Sequence, residues 1–80
     1  MKEYIATFHT HLAALMTCRT LNGKGAKAGM MPVPRELSSS CGTWVRYHAE
    51  APLLEAMDAD VEGVYEFIGK DAYVQLMDNQ

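Results

Sequence analysis

Tyr4, Ala6 and Phe8 alternate with Ile5, Thr7 and His9 near the start of the chain. That period of two over Glu3 to His9 predicts a strand. The pattern changes at Thr10, a residue type that caps helices by accepting a hydrogen bond from an otherwise unpaired amide. From His11 to Asn22 the chain is rich in Leu, Ala and Met, and Ala14, Thr17, Cys18 and Leu21 recur at helical spacing. Gly23 is a natural terminus for this helix, with Gly25 as a second flexible point. Lys27 to Val33 returns to a strand-like pattern. Pro32 and Pro34 belong on a sheet edge or at a strand end, because proline donates no ladder hydrogen bond.

Arg35 to Gly42 has no core-like period and reads as a loop. Thr43 to His48 reads as a third strand, with Trp44, Arg46 and His48 alternating against Thr43, Val45 and Tyr47. Pro52 suits the first turn of a second helix over Ala51 to Ala59, with Leu53, Leu54 and Met57 as its apolar stripe. Gly63 to Ile68 predicts a fourth strand. Ala72 to Met77 fits a short helix or an extra strand equally well. The order strand-helix-strand-strand-helix-strand is the split βαβ pattern of an α+β, ferredoxin-like βαββαβ fold, an antiparallel sheet with two helices on one face. The expected organisation is a single domain over residues 1–69 followed by a tail, 70–80. The second and fourth strands would form the edges. The sheet face away from the helices would be open, and a homo-oligomer could form through it.

Composition narrows the function. Eighty residues make one domain, and an apolar fraction of 49% suits a folded core. Seven basic against ten acidic residues give a net charge of −3 with no basic block, which argues against nucleic acid as a partner. No apolar run approaches the ~20 residues that span a bilayer. Met1-Lys2-Glu3-Tyr4 lacks the apolar stretch of a signal peptide, so the expected location is cytoplasmic. Two cysteines, Cys18 and Cys41, do not make a disulfide framework, and in a reducing compartment each is expected to be a free thiol.

The chemistry-bearing stretch is Pro32-Val33-Pro34-Arg35-Glu36-Leu37-Ser38-Ser39-Ser40-Cys41-Gly42. A thiolate at Cys41 could be stabilised by backbone N–H groups near Gly42, by the hydroxyls of Ser38, Ser39 and Ser40, and by the fixed charge of Arg35. Gly42 removes bulk beside the sulfur. The same groups could capture a small anion. Cys18, on the apolar face of the first helix, reads as structural. His9, His11 and His48 match no strong zinc spacing, and neither a metal nor a cofactor is expected. Gly23-Lys24-Gly25-Ala26-Lys27-Ala28-Gly29 lacks the full phosphate-loop spacing and reads as a connector. Glu50, Glu55, Asp58, Asp60 and Glu62 read as a solvated acidic face.

The Pro32–Gly42 stretch closely resembles the signature of a family of small bacterial selenium/sulfur carrier-like proteins. The opening strand Tyr4-Ile5-Ala6-Thr7-Phe8 and the segment Gly63-Val64-Tyr65-Glu66 extend the likeness over roughly residues 3 to 68. Leu37 stands where the family often has another branched aliphatic residue. The resemblance implies a carrier of persulfide-type sulfur or selenium, at most sulfurtransferase-like as an enzyme. Cys41 would be the carrying atom, with Arg35, Ser38, Ser39, Ser40 and Gly42 around it. It also implies a cysteine desulfurase or another sulfur or selenium donor protein as partner. The residues by themselves leave two other readings open, an anion-binding module and a dimeric regulatory module without sulfur chemistry.

Overall fold

The computed structural model describes residues 2–32, 43–69 and 72–78. Strand β1 (Lys2–Phe8) leads into helix α1 (His11–Gly23), then β2 (Lys27–Pro32), β3 (Thr43–Ala49), a single 3-10 turn (Leu54–Ala56), β4 (Val61–Gly69) and β5 (Ala72–Asp78). The strands form one sheet in the order β2-β3-β1-β4-β5, and every neighbouring pair is antiparallel. No helix among the described residues is long and apolar enough to cross a membrane.

The expected ferredoxin-like βαββαβ fold is therefore corrected to a five-stranded antiparallel sheet with one α-helix. The second helix, expected over Ala51 to Ala59, is reduced to the 3-10 turn. Leu53 sits in the left-handed region (φ 53°, ψ 47°), so a right-handed helix cannot run through it. The Tyr47 hydroxyl donates to the Pro52 carbonyl, taking an acceptor such a helix would use. Downstream, Asp60 N–H donates to its neighbour Asp58 Oδ1 at 3.0 Å, a local turn that competes with helix. The undecided segment near the C-terminus is β5. It pairs with β4, so β4 is internal while β2 lies on an edge.

The first helix forms where its pattern predicts. Thr10 Oγ1 accepts from Ala13 N–H at 3.1 Å, closing the N-terminus. At the other end Gly25 adopts φ +90°, a conformation that only glycine takes without strain, and the chain turns into β2. Ala13, Ala14, Thr17 and Leu21 are the buried face of α1. They pack on Tyr4, Ala6 and Phe8 of β1, Val45 and Tyr47 of β3, and Val61 and Val64 of β4. The rings of Tyr4 and Tyr47 stack with centroids 5.2 Å apart. Asp58 N–H donates to Thr17 Oγ1 at 3.0 Å, tying the β3–β4 connection to the helix.

Alternation puts Glu3, Ile5 and Thr7 on the opposite sheet face, beside Trp44, Arg46 and His48. The centre of that face is closed: Ile5 is 1% exposed, Thr7 0% and Trp44 6%. Its β2 flank is partly exposed, with Met31 at 38%.

Burial, with Tyr4 and Glu55 nearby, raises the Tyr47 phenol above the ordinary value of 10.0. The Tyr65 phenol is also raised, by burial and by Asp78 and Glu62. The native state thus keeps protons that the unfolded chain releases near pH 10. Their contribution to stability is complete below that pH and declines as pH rises above it. Urea unfolding from pH 8 upward is expected to show this decline. Tyr47→Phe should lower stability by about 1 kcal/mol at neutral pH through loss of the bond to Pro52. It should also flatten the alkaline decline. An unchanged alkaline slope in that variant would rule out Tyr47 as its source.

Candidate functional site

Pairing between β2 and β3 runs without a shift from Lys27↔His48 to Pro32↔Thr43. Residues 33–42 connect the last pair, so the chemistry-bearing stretch starts and ends on two strands held side by side. Arg35, Ser38, Ser39, Ser40, Cys41 and Gly42 themselves lie outside the described residues. The strand pair that bears them is further secured by the helix. Asn22 Nδ2 donates to the Ala28 carbonyl at 3.1 Å, and Asn22 Oδ1 accepts from the Ala28 N–H at 3.0 Å. One side chain thereby satisfies both backbone groups of an edge residue.

Next to the Pro32–Thr43 pair, on the face away from α1, lies a row of register partners: Met31, Trp44, Thr7 and Gly63. Trp44 Nε1 and Thr7 Oγ1 are both buried, and neither has a hydrogen-bond partner among the described residues. Tyr65 leans toward this row. A Cβ on Gly63 would lie 3.1 Å from the Tyr65 hydroxyl and 3.2 Å from the Met77 carbonyl, so glycine makes room for both. The raised Tyr65 phenol stays protonated at neutral pH and is a donor.

A groove of about 490 Å³ runs along the β2 flank of the same face. Lys27, Gly29, Met31, Arg46 and His48 line it, together with Asn22 and Ala28 at the sheet edge. Beside it Glu3 contacts two of the basic side chains. Arg46 Nε is 2.6 Å from Glu3 Oε2, a charge contact without hydrogen-bond alignment, and His48 Nε2 is 3.4 Å from Glu3 Oε1. Lys27 has no carboxylate within ion-pair distance among the described residues.

The remaining candidates are dispersed. Cys18 is half-buried on α1 and packs against the core, with Asn22 Nδ2 3.7 Å from its sulfur. His9 Nδ1 is 3.6 Å from Glu62 Oε2, His48 faces Glu3, and His11 is exposed at the start of α1. Glu62, expected on a solvated face, is 6% exposed. No three His, Cys, Asp or Glu side chains come together to hold a metal among the described residues. The Gly29 groove and the Thr7–Trp44 pair were not expected from the residues alone. The available signal was a glycine inside a strand pattern, flanked at i−2 and i+2 by Lys27 and Met31.

Residues 3–66 match a protein-family model described as "Putative Se/S carrier protein-like". The matched span includes residues 33–42 and ends within β4, leaving β5 outside it. No curated protein and no solved structure matches the chain.

The Thr7 hydroxyl supplies the test of this region. Burying an unpaired hydroxyl is unfavourable, so Thr7→Val is expected to stabilise the fold by about 1 kcal/mol in urea unfolding. A loss of stability instead would mean that a group outside the described residues satisfies the hydroxyl.

Proposed function

The chain belongs to the Se/S carrier protein-like family, and from that premise we propose that it carries persulfide-type sulfur, or selenium, on Cys41. A donor protein such as a cysteine desulfurase would supply the cargo. In the loading step the Cys41 thiolate attacks the outer sulfur of a donor persulfide, R–S–SH. The new S–S bond forms at Cys41 as the donor's S–S bond breaks. The donor thiolate, R–S⁻, leaves with the electron pair, and the transferred sulfur keeps its proton. An acceptor thiolate or other nucleophile then takes the outer sulfur by the same exchange and returns Cys41 to its thiolate. A selenium atom in the outer position follows the same balance.

The observation that carries this reading is the family match over a span containing the Cys41 segment. The strand geometry suits it. Both ends of residues 33–42 are anchored on paired β2 and β3, a rigid base from which a carrier cysteine can meet two partners in turn. Arg35, Ser38, Ser39, Ser40 and the amides near Gly42 supply donors and positive charge for the thiolate and for the terminal persulfide anion. Cys18 is the less suitable carrier because it is half-buried and packed against the core.

Incubation with a desulfurase charged with labelled sulfur, followed by intact-mass analysis, tests the assignment. The parent and Cys18→Ser proteins should each gain one sulfur, and Cys41→Ser should gain none. Arg35→Ala should load about tenfold more slowly, the effect of losing one charged contact to the reacting anion. Equal loading of Cys41→Ser and the parent would refute Cys41 as the carrier. Anion binding that survives in Cys41→Ser but fails in Arg35→Ala, without sulfur uptake by the parent, would favour the binding-module reading instead.

A further inference from the structure

Gly29 is in the interior of β2, where glycine weakens a strand by its backbone entropy and by offering no side chain to pack. Three internal reasons for a strand glycine fail here. Its φ is not positive, unlike those of Gly25 and Gly69. The β2–β3 register passes through Gly29↔Arg46 without a bulge. A Cβ at Gly29 would meet no atom of the described residues within 4 Å. Among the described residues nothing occupies the space over Gly29, which leaves its backbone open to close approach by a ligand.

The surroundings describe that visitor. Gly29 lies on the face away from α1, since its neighbours Ala28 and Met30 pack against the core. It lines the shallow, open groove of about 490 Å³. Lys27 stands two residues before it on the same face, and Arg46 is its partner across the strand pair. Met31 adds a soft apolar wall, and His48 a further polar group. Glu3 faces Arg46 and His48 but does not line the groove. Lys27, which has no carboxylate partner among the described residues, and Arg46, which Glu3 contacts from outside the groove, flank a bare strand backbone, a setting that suits a carboxylate whose organic remainder lies flat across the glycine.

We propose that the groove over Gly29 binds a small organic carboxylate, held by Lys27 and Arg46 and passing close to the Gly29 backbone. This rests on the carrier reading in one respect, the kind of carboxylate: for a carrier it is a low-molecular-weight thiol such as cysteine or glutathione. The groove runs along the strands that bear residues 33–42, and Met31 at its end adjoins Pro32. It thus gives the carrier a place to hold a thiol carboxylate, whose persulfide form gives its outer chalcogen to the Cys41 thiolate and leaves as the thiolate, or whose thiolate takes the outer chalcogen from loaded Cys41 and leaves as the persulfide.

Amide chemical shifts of the full-length protein should be followed during titration with reduced glutathione and, separately, with its S-methyl derivative. Saturable shifts are expected at Lys27–Met31 and Arg46–His48 with both compounds, since the carboxylates carry recognition. Lys27→Gln should weaken binding about tenfold, as expected for one charged contact. Gly29→Val should abolish it by filling the groove, while the melting temperature stays the same or rises because a β-branched residue replaces glycine in a strand. That separates loss of the site from loss of the fold. Absence of saturable shifts at these amides, or full binding by Gly29→Val, overturns the proposal. The two readings fail separately. Glutathione binding without sulfur uptake at Cys41 leaves the groove and removes the carrier. Uptake without binding does the reverse.

Discussion

Strand β3 pairs with β2 on one side and with β1 on the other, and every functional element depends on that double pairing. Its inner residues, Val45 and Tyr47, complete the core beneath α1. Its outer residues, Trp44, Arg46 and His48, form the face that borders the groove. Its first residue, Thr43, is the register partner of Pro32, which brings together the two ends of the Cys41 segment. A slip of one residue in this register would exchange the two faces, burying Arg46 in the core and exposing Tyr47. The Tyr4–Tyr47 stack and the Tyr47–Pro52 hydrogen bond oppose such a slip.

Much of the fold was legible in the chain because the local rules agreed with one another. The alternation in Tyr4–Phe8 and the Thr10 cap each had a single reading, and β1 and α1 follow them, whereas the turn into β2 falls at Gly25, the second flexible point, and Gly23, the expected terminus, is still helical. The second helix was misread because Pro52, Leu53, Leu54 and Met57 satisfy a helical pattern without being long enough to enforce it. Contacts outside the helical pattern decided the matter: the nearby Tyr47 hydroxyl took the Pro52 carbonyl, and Thr17, distant in sequence, took the Asp58 amide. The final segment carried no deciding period. Pairing with β4 made it a strand, which moved the sheet edge outward from β4 to β5.

The candidate site was legible in a different way. Cys41, Arg35 and the three serines stand out by residue type, and the family resemblance rests on them together with two strand segments. The groove does not stand out, because its cations come from two strands and its key residue, Gly29, is defined by what it lacks. Only register shows that Gly29 faces Arg46 and that Lys27 lies on the same side. A carrier needs a reactive atom and also a means of holding the molecules it exchanges with. On the proposed reading the cysteine segment offers the first and the groove the second, and β2 and β3 adjoin both.

The most direct measurement is the pH dependence of alkylation at Cys41 in a Cys18→Ala background. An unperturbed thiol titrates near pH 8.5. A carrier thiolate supported by Arg35, the serine hydroxyls and nearby amides is expected to titrate clearly below that value and to alkylate rapidly at neutral pH. Titration at or above the ordinary value, with slow alkylation at neutral pH, would contradict the assignment of Cys41 as the chalcogen-carrying residue.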